Sequence, residues 1–258
     1  MTPQRQKLEL LSETVSLNVN DQGQGRAFLI LHGGAGPGSV SGLANALSKS
    51  ARAVVPTYPG FNGEPRPDWF ASVDDLALAN LALIEKLGLS KVVVIGNSIG
   101  GWIASEIALR HSPRVAGMVL LNAVGIDTGS SDKTITDMTK VPPAERASYS
   151  FHDPKRFAIA PTTPDALAIM ANNQQTLRTY AGSLMYDPGL RSRLAGVSTP
   201  TMVAWGASDR VVDVDYGRLF ASSIPGARFE LVSEAGHFPQ IERLDEVMRL
   251  IGEFDSKI

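Results

Sequence analysis

The chain has 258 residues, 43% of them apolar and 19% charged, with 24 Lys plus Arg against 26 Asp plus Glu and a formal net charge of −2. That length suits one large domain or two small ones, and the apolar fraction excludes wholesale disorder. The near balance of charge leaves no basic field for nucleic acid or anionic lipid, and the absence of cysteine excludes disulfides, thiolate nucleophiles, Cys-bound zinc and iron–sulfur clusters.

Residues 1–13 carry Arg5, Lys7 and Glu9 and lack the apolar core of a secretory signal. No stretch reaches the roughly 18 apolar residues that a membrane helix needs. The expectation is a cytoplasmic protein that engages neither nucleic acid nor membrane.

Val15–Val19 alternates apolar and polar side chains, as a half-buried strand does. Ala27–Leu31 is a continuous apolar run, the mark of a strand covered on both faces. Similar runs follow at Ala53–Val55, Val92–Ile95, Val115–Leu121, Thr201–Trp205 and Phe229–Val232. Helix-like segments lie between them, near Leu43–Ser50, Val73–Leu87, Ile99–His111, Tyr216–Ser222 and Leu244–Phe254. Strands alternating with helices argue for an α/β fold with a doubly wound, mostly parallel sheet. The earliest strands have no helix between them, which predicts an antiparallel start.

Residues 126–194 break this rhythm. They show no clear buried strand, carry Pro142, Pro143, Pro154, Pro161, Pro164 and Pro188, and include the amphipathic stretch Leu167–Tyr180. About 70 residues without a strand is too long for an ordinary loop and predicts a small helical lid; a helical extension that only adds core is the plainer alternative. The chain thus divides into a core, 1–125 and 195–258, and a lid, 126–194.

The strongest local signal is Gly96-Asn97-Ser98-Ile99-Gly100, directly after an apolar run and directly before a helical segment. G-x-S-x-G at a strand-to-helix turn is a nucleophile elbow. It exposes a strained Ser at the C-terminal edge of the sheet, with glycines letting neighbouring backbone pass close. Ser98 is therefore the candidate nucleophile, and the Ile99 N–H at the helix start is a candidate oxyanion donor. The run His32-Gly33-Gly34-Ala35-Gly36-Pro37-Gly38 fits neither a P-loop nor a dinucleotide fingerprint. It reads as an oxyanion loop with Gly34 N–H as second donor, or as a plain Gly-rich turn. His32 beside it is expected to shape the loop.

The general base should follow the last strand, and His237 does so in Glu234-Ala-Gly-His-Phe-Pro239. The orienting acid should follow the strand before it. Asp209 ends Trp205-Gly206-Ala207-Ser208-Asp209, with Asp213 and Asp215 as rivals whose alternative role is to cap the helix starting near Tyr216. His111 closes a helix and His152 falls in the lid. The order Ser98, Asp209, His237 is the Ser…Asp…His order of one fold.

With these residues in view, the sequence resembles the α/β-hydrolase fold superfamily over nearly its whole length. The resemblance rests on His32-Gly33-Gly34, Pro59-Gly60-Phe61, the Ser98 elbow, Asp209 and His237. It implies an eight-stranded sheet with the lid inserted after the sixth strand. Gly33–Gly38 and Gly96–Gly101 look like the lidded serine esterase and meta-cleavage-product hydrolase branch. Two features depart from the carbon–carbon hydrolases of that branch. Phe238 stands where they carry Trp after the catalytic His, and neither Arg178 nor Arg191 sits in a motif matching the lid Arg that grips a dienoate carboxylate. Dehalogenases and epoxide hydrolases resemble the architecture but use Asp where this chain has Ser98. Perhydrolases keep the triad.

The expected activity is serine-dependent cleavage of a small ester-like substrate, a carboxylic ester or a lactone, with no metal or organic cofactor. A carbon–carbon bond hydrolase and a ligand receptor or scaffold retaining the fold are the alternatives. Trp102, Tyr180 and Phe238 are the candidate substrate contacts, with Phe151, Phe157, Met170, Met185 and Tyr186 adding apolar lid surface or lid packing. A monomer or a homodimer is expected.

Overall fold

The computed structural model describes residues 4–130, 135–158 and 161–258. Residues 131–134 and 159–160 of the expected lid lie outside the described residues. The strands are β1 (Gln4–Leu10), β2 (Val15–Gly23), β3 (Ala27–Leu31), β4 (Arg52–Thr57), β5 (Val92–Asn97), β6 (Val115–Leu121), β7 (Gly125–Ile126), β8 (Tyr186–Asp187), β9 (Thr201–Gly206) and β10 (Arg228–Val232). The helices are α1 (Ser41–Leu47), α2 (Val73–Lys86), α3 (Ile99–Ala108), α4 (Arg146–Ser150), α5 (Pro154–Phe157), α6 (Pro164–Ala181), α7 (Leu190–Arg193), α8 (Val214–Ser222), α9 (Pro239–Glu242) and α10 (Leu244–Asp255).

Eight strands form one sheet in the order β1-β2-β4-β3-β5-β6-β9-β10. The pairs β1–β2 and β2–β4 are antiparallel and the rest are parallel, so the antiparallel start holds. β1 is an addition to the apolar-run reading. It is an edge strand whose Arg5, Lys7 and Glu9 face outward while Leu10 turns in, so it has no continuous apolar run to announce it.

The central strands separate two cores by their period of two. Leu29, Leu31, Val94, Leu120, Val203 and Trp205 point to one face, where they meet Leu76 and Leu83 of α2, Ile103 of α3 and Phe220 of α8. Phe28, Ile30, Val93, Ile95, Val119 and Met202 point to the other, against Leu43 of α1 and Leu250 and Phe254 of α10. Helix α3 is buried along its whole length, which is why it carries no charge before Glu106.

Parallel register aligns the strand ends. Leu31 pairs with Gly96, Asn97 with Leu121, Leu121 with Ala204, and Gly206 with Val232. The loops after β3, β5, β6, β9 and β10 therefore emerge on one edge, where open α/β sheets bind ligands.

Among the described residues the segment between β7 and β8 carries helices α4, α5 and α6 joined by turns and loops, and the pairing of Gly125–Ile126 with Tyr186–Asp187 adds a two-stranded sheet at its base. Helix α6 is capped by Thr163, whose hydroxyl accepts the Ala166 N–H at 3.2 Å, with Pro164 in its first turn. It is bolted to the turn after β4. Thr176 and Asn172 donate to the Gly60 carbonyl, Tyr180 donates to the Pro59 carbonyl, and Asn173 accepts from the Asn62 N–H.

Candidate active site

Ser98 stands between β5 and α3 with φ 57° and ψ −122°, a backbone region that L-residues rarely occupy. The glycines around it answer to close approach. A Cβ on Gly96 would lie 2.2 Å from the Gly100 carbonyl oxygen, and one on Gly100 would lie 2.3 Å from that of Leu31. The turn is clamped from both sides, since the Ser98 N–H donates to the Leu121 carbonyl and the Ser98 carbonyl accepts from Gly101 and Val124.

His237 and Asp209 meet on the same edge. Nδ1 of His237 lies 2.8 Å from Oδ2 of Asp209, and both residues are 5% exposed. A carboxylate oxygen accepts, so Nδ1 is the donor in this contact. The carboxylate is itself held: Oδ1 accepts the N–H groups of Val211 and Val212, at 2.8 and 3.2 Å, and Oδ2 accepts Asn122 Nδ2 at 2.7 Å. Of the rival acids, Asp213 caps α8 by accepting the Tyr216 N–H at 2.8 Å, and Asp215 sits in the first turn of that helix. Asn97 joins the two halves of the site, because its Nδ2 donates to the Leu121 and His237 carbonyls, each at 3.0 Å.

Among the described residues, neither the Gly34 N–H nor the Ile99 N–H has a protein acceptor. Helix α6 lies directly over the loop, where a Cβ on Gly34 would come within 2.6 Å of Leu177 Cδ2. His32 is fully buried beneath. Its Nδ1 donates to the Gly33 carbonyl at 2.8 Å, and its ring packs on Tyr58 at 4.1 Å and Phe61 at 4.9 Å. Burial lowers its pKa to about 4, so it is neutral at neutral pH and braces the loop.

The remaining candidates are spread around this centre. Trp102 is buried in the first turn of α3, packed so closely on Gly125 that a Cβ there would meet its ring at 2.5 Å. Tyr180 spends its hydroxyl on Pro59, at 2.7 Å, and stacks parallel to Phe61. Phe238 is edge-on to His237 at 5.3 Å and meets Phe151 at 5.2 Å. Arg178 faces Asp137 at the surface, and Arg191 donates to the Thr128 carbonyl. His111 and His152 are exposed, beside Ser198 and Ser208. Among the described residues no group of three His, Asp or Glu side chains is placed to hold a metal ion.

Asn122 is the residue that sequence reasoning passed over. It closes the apolar run of β6 at φ 47°, fully buried, and a lone polar residue in that position was the available signal.

Comparison with known proteins agrees with this architecture. A 2-hydroxy-6-oxo-6-phenylhexa-2,4-dienoate hydrolase of Burkholderia cepacia is 27% identical over 92% of this chain and 90% of its own length. A meta-cleavage product hydrolase of Pseudomonas fluorescens superposes with a TM-score of 0.77 at 23% identity, covering 98% of this chain and 97% of that one. A thermophilic esterase of Thermogutta terrifontis gives 0.77 at 23% identity, covering 98% of each chain. The Alpha/beta hydrolase family model matches residues 28–250, and the chain belongs to that family.

Proposed function

We propose that this chain is a serine hydrolase of carboxylic esters or lactones. The observation that carries the reading is the buried Asp209–His237 pair on the sheet edge that also presents Ser98 in its strained turn. In this reading Ser98 Oγ attacks the substrate carbonyl while His237 Nε2 takes its proton. The N–H groups of Gly34 and Ile99 receive the oxyanion. His237 returns the proton to the leaving alcohol and then activates water to release the acyl group. Asp209 keeps the imidazole in the required tautomer and stabilises the imidazolium. No metal or organic cofactor enters.

Residues 126–194 act as the lid, with Leu177 over the Gly34 loop and Phe238 beside His237. Trp102, the ring of Tyr180 and Phe238 give the acyl side of the pocket an apolar wall. A carbon–carbon bond hydrolase is the second reading, favoured by the dienoate hydrolase relative. Against it stand the engagements of Arg178 with Asp137 and of Arg191 with Thr128, which turn both cations away from a carboxylate-gripping role.

Intact-mass detection of a fluorophosphonate adduct tests the reading. One adduct on the parent and none on Ser98→Ala is expected. Turnover of short aryl esters or lactones, without turnover of a ring-fission dienoate, then separates the two readings. A folded parent that takes no adduct sinks both and leaves a receptor or scaffold.

A further inference from the structure

Glu242 lies five residues beyond His237 and is 9% exposed. Among the described residues no cation pairs with it, and its carboxylate is spent on backbone. Oε2 accepts the Gly236 N–H at 2.6 Å and the His152 N–H at 3.2 Å, and Oε1 accepts the Asp153 N–H at 2.9 Å. One side chain thus bridges the loop before His237 and the segment 150–153 of the insertion.

Other contacts make this junction tight. The His237 N–H donates to the Ser150 carbonyl at 2.7 Å. That oxygen lies 2.4 Å from where a Cβ on Gly236 would stand, so the two backbones touch. The His152 ring reaches Ser208 Oγ at 2.8 Å, next to Asp209, and the Arg210 N–H donates to the Tyr149 carbonyl at 3.1 Å. The insertion therefore grips the loops of both Asp209 and His237, and Glu242 is the buried charge at the centre of the grip.

We infer that Glu242 is a positioning residue: its carboxylate clasps segment 150–153 to Gly236 and so sets where His237 stands relative to Ser98. This rests on the reading of His237 as general base. Three N–H donors converge on two oxygens, and charge-assisted bonds of this kind are short and directional. A Gln at this position turns an NH2 donor toward one of those N–H groups, and the loop then has to move. A displacement on the order of 1 Å of a reacting group costs about a hundred-fold in rate.

The test is Glu242→Gln read two ways. The first is the rate of fluorophosphonate labelling per site, with sites counted from the end-point adduct so that misfolded protein drops out. The second is the downfield NMR resonance of the His237 Nδ1 proton, which needs no substrate and no reactive Ser98. Labelling slowed by about ten-fold or more, together with a displaced resonance, is expected. A labelling rate within about two-fold of the parent, or an unmoved resonance, overturns the proposal even if the melting temperature falls. Glu242→Asp keeps the charge and withdraws it by one methylene; if the Gln variant does not fold, it is judged by the same criteria. A parent that takes no adduct refutes the hydrolase reading, while the resonance still decides the role of Glu242.

Discussion

Asn122 donates its side-chain N–H to Oδ2 of Asp209 at 2.7 Å, the same oxygen that receives His237 Nδ1. Its own Oδ1 accepts the Gly206 N–H at 3.1 Å, so the amide links the ends of β6 and β9 to the carboxylate. Hydrogen bonds to charged groups contribute about 1.5–3 kcal/mol, a factor of roughly ten or more in rate if lost from an orienting group. Asn122→Ala is expected to lower kcat/KM by about ten-fold with KM little changed. Steady-state kinetics on the best ester of the panel checks this, and an unaltered kcat would show that the backbone N–H groups of Val211 and Val212 hold Asp209 alone.

Ser98 trades stability for exposure. Its φ of 57° and ψ of −122° carry a strain on the order of 1–3 kcal/mol, which glycine does not feel. Ser98→Gly is expected to melt above Ser98→Ala while neither takes the fluorophosphonate adduct. Differential scanning calorimetry of the two variants measures it. Equal melting temperatures would mean that the elbow stores no strain.

His32 gives the fold an acid-sensitive limb. Burial depresses its pKa from 6.5 to about 4, so as pH falls the unfolded chain takes up the proton first. Its contribution to stability is complete above about pH 6.5 and declines toward pH 4, by on the order of 3 kcal/mol in all. Urea denaturation of the parent at pH 7 and at pH 4.5 should show this loss, and His32→Phe should flatten the slope between them. An unchanged slope would place the acid sensitivity elsewhere.

Glu106 on α3 is buried and meets Arg193 through two bonds, at 2.9 and 2.7 Å, with Arg110 at 3.2 Å on one oxygen. Arg193 also reaches Asp187 of β8, so this network ties the returning end of the insertion to the helix that follows Ser98. Arg193→Met leaves the buried carboxylate with one partner and is expected to cost about 2 kcal/mol, discounted because the guanidinium is partly exposed. Converting Glu106 to Met as well should recover part of the loss, since the orphaned charge is gone. Chemical denaturation of the single and double variants tests the order.

Much of this molecule is written locally. Apolar runs marked six of the eight main-sheet strands, since the interior strands are covered on both faces, and apolar–polar alternation marked β2. β1 escaped because Gln4–Leu10 holds five polar or charged residues and only Leu8 and Leu10 as apolar ones. The Gly-x-Ser-x-Gly turn was legible because its glycines answer to contacts within a few residues and to the neighbouring strand. In the sequence Asp209 was separable from Asp213 only by its distance from the strand end, and the contact of Asp209 with His237 Nδ1 is what the three-dimensional arrangement added.

Sequence by itself determined the layered α/β architecture and the placement of Ser98 between a strand and a helix, since these follow from periodicity and steric demands that act over short spans, while the order Ser98, Asp209, His237 rested on the match to one fold. Tertiary structure alone decided which side chains hold those groups. Asn122 reaches Asp209 across 87 positions, Asn97 reaches the His237 carbonyl across 140, and Glu242 binds His152 across 90. Asn and Glu carry no periodic signal, and a hydrogen bond between residues so far apart exists only once the parallel register has brought five strand ends to one edge.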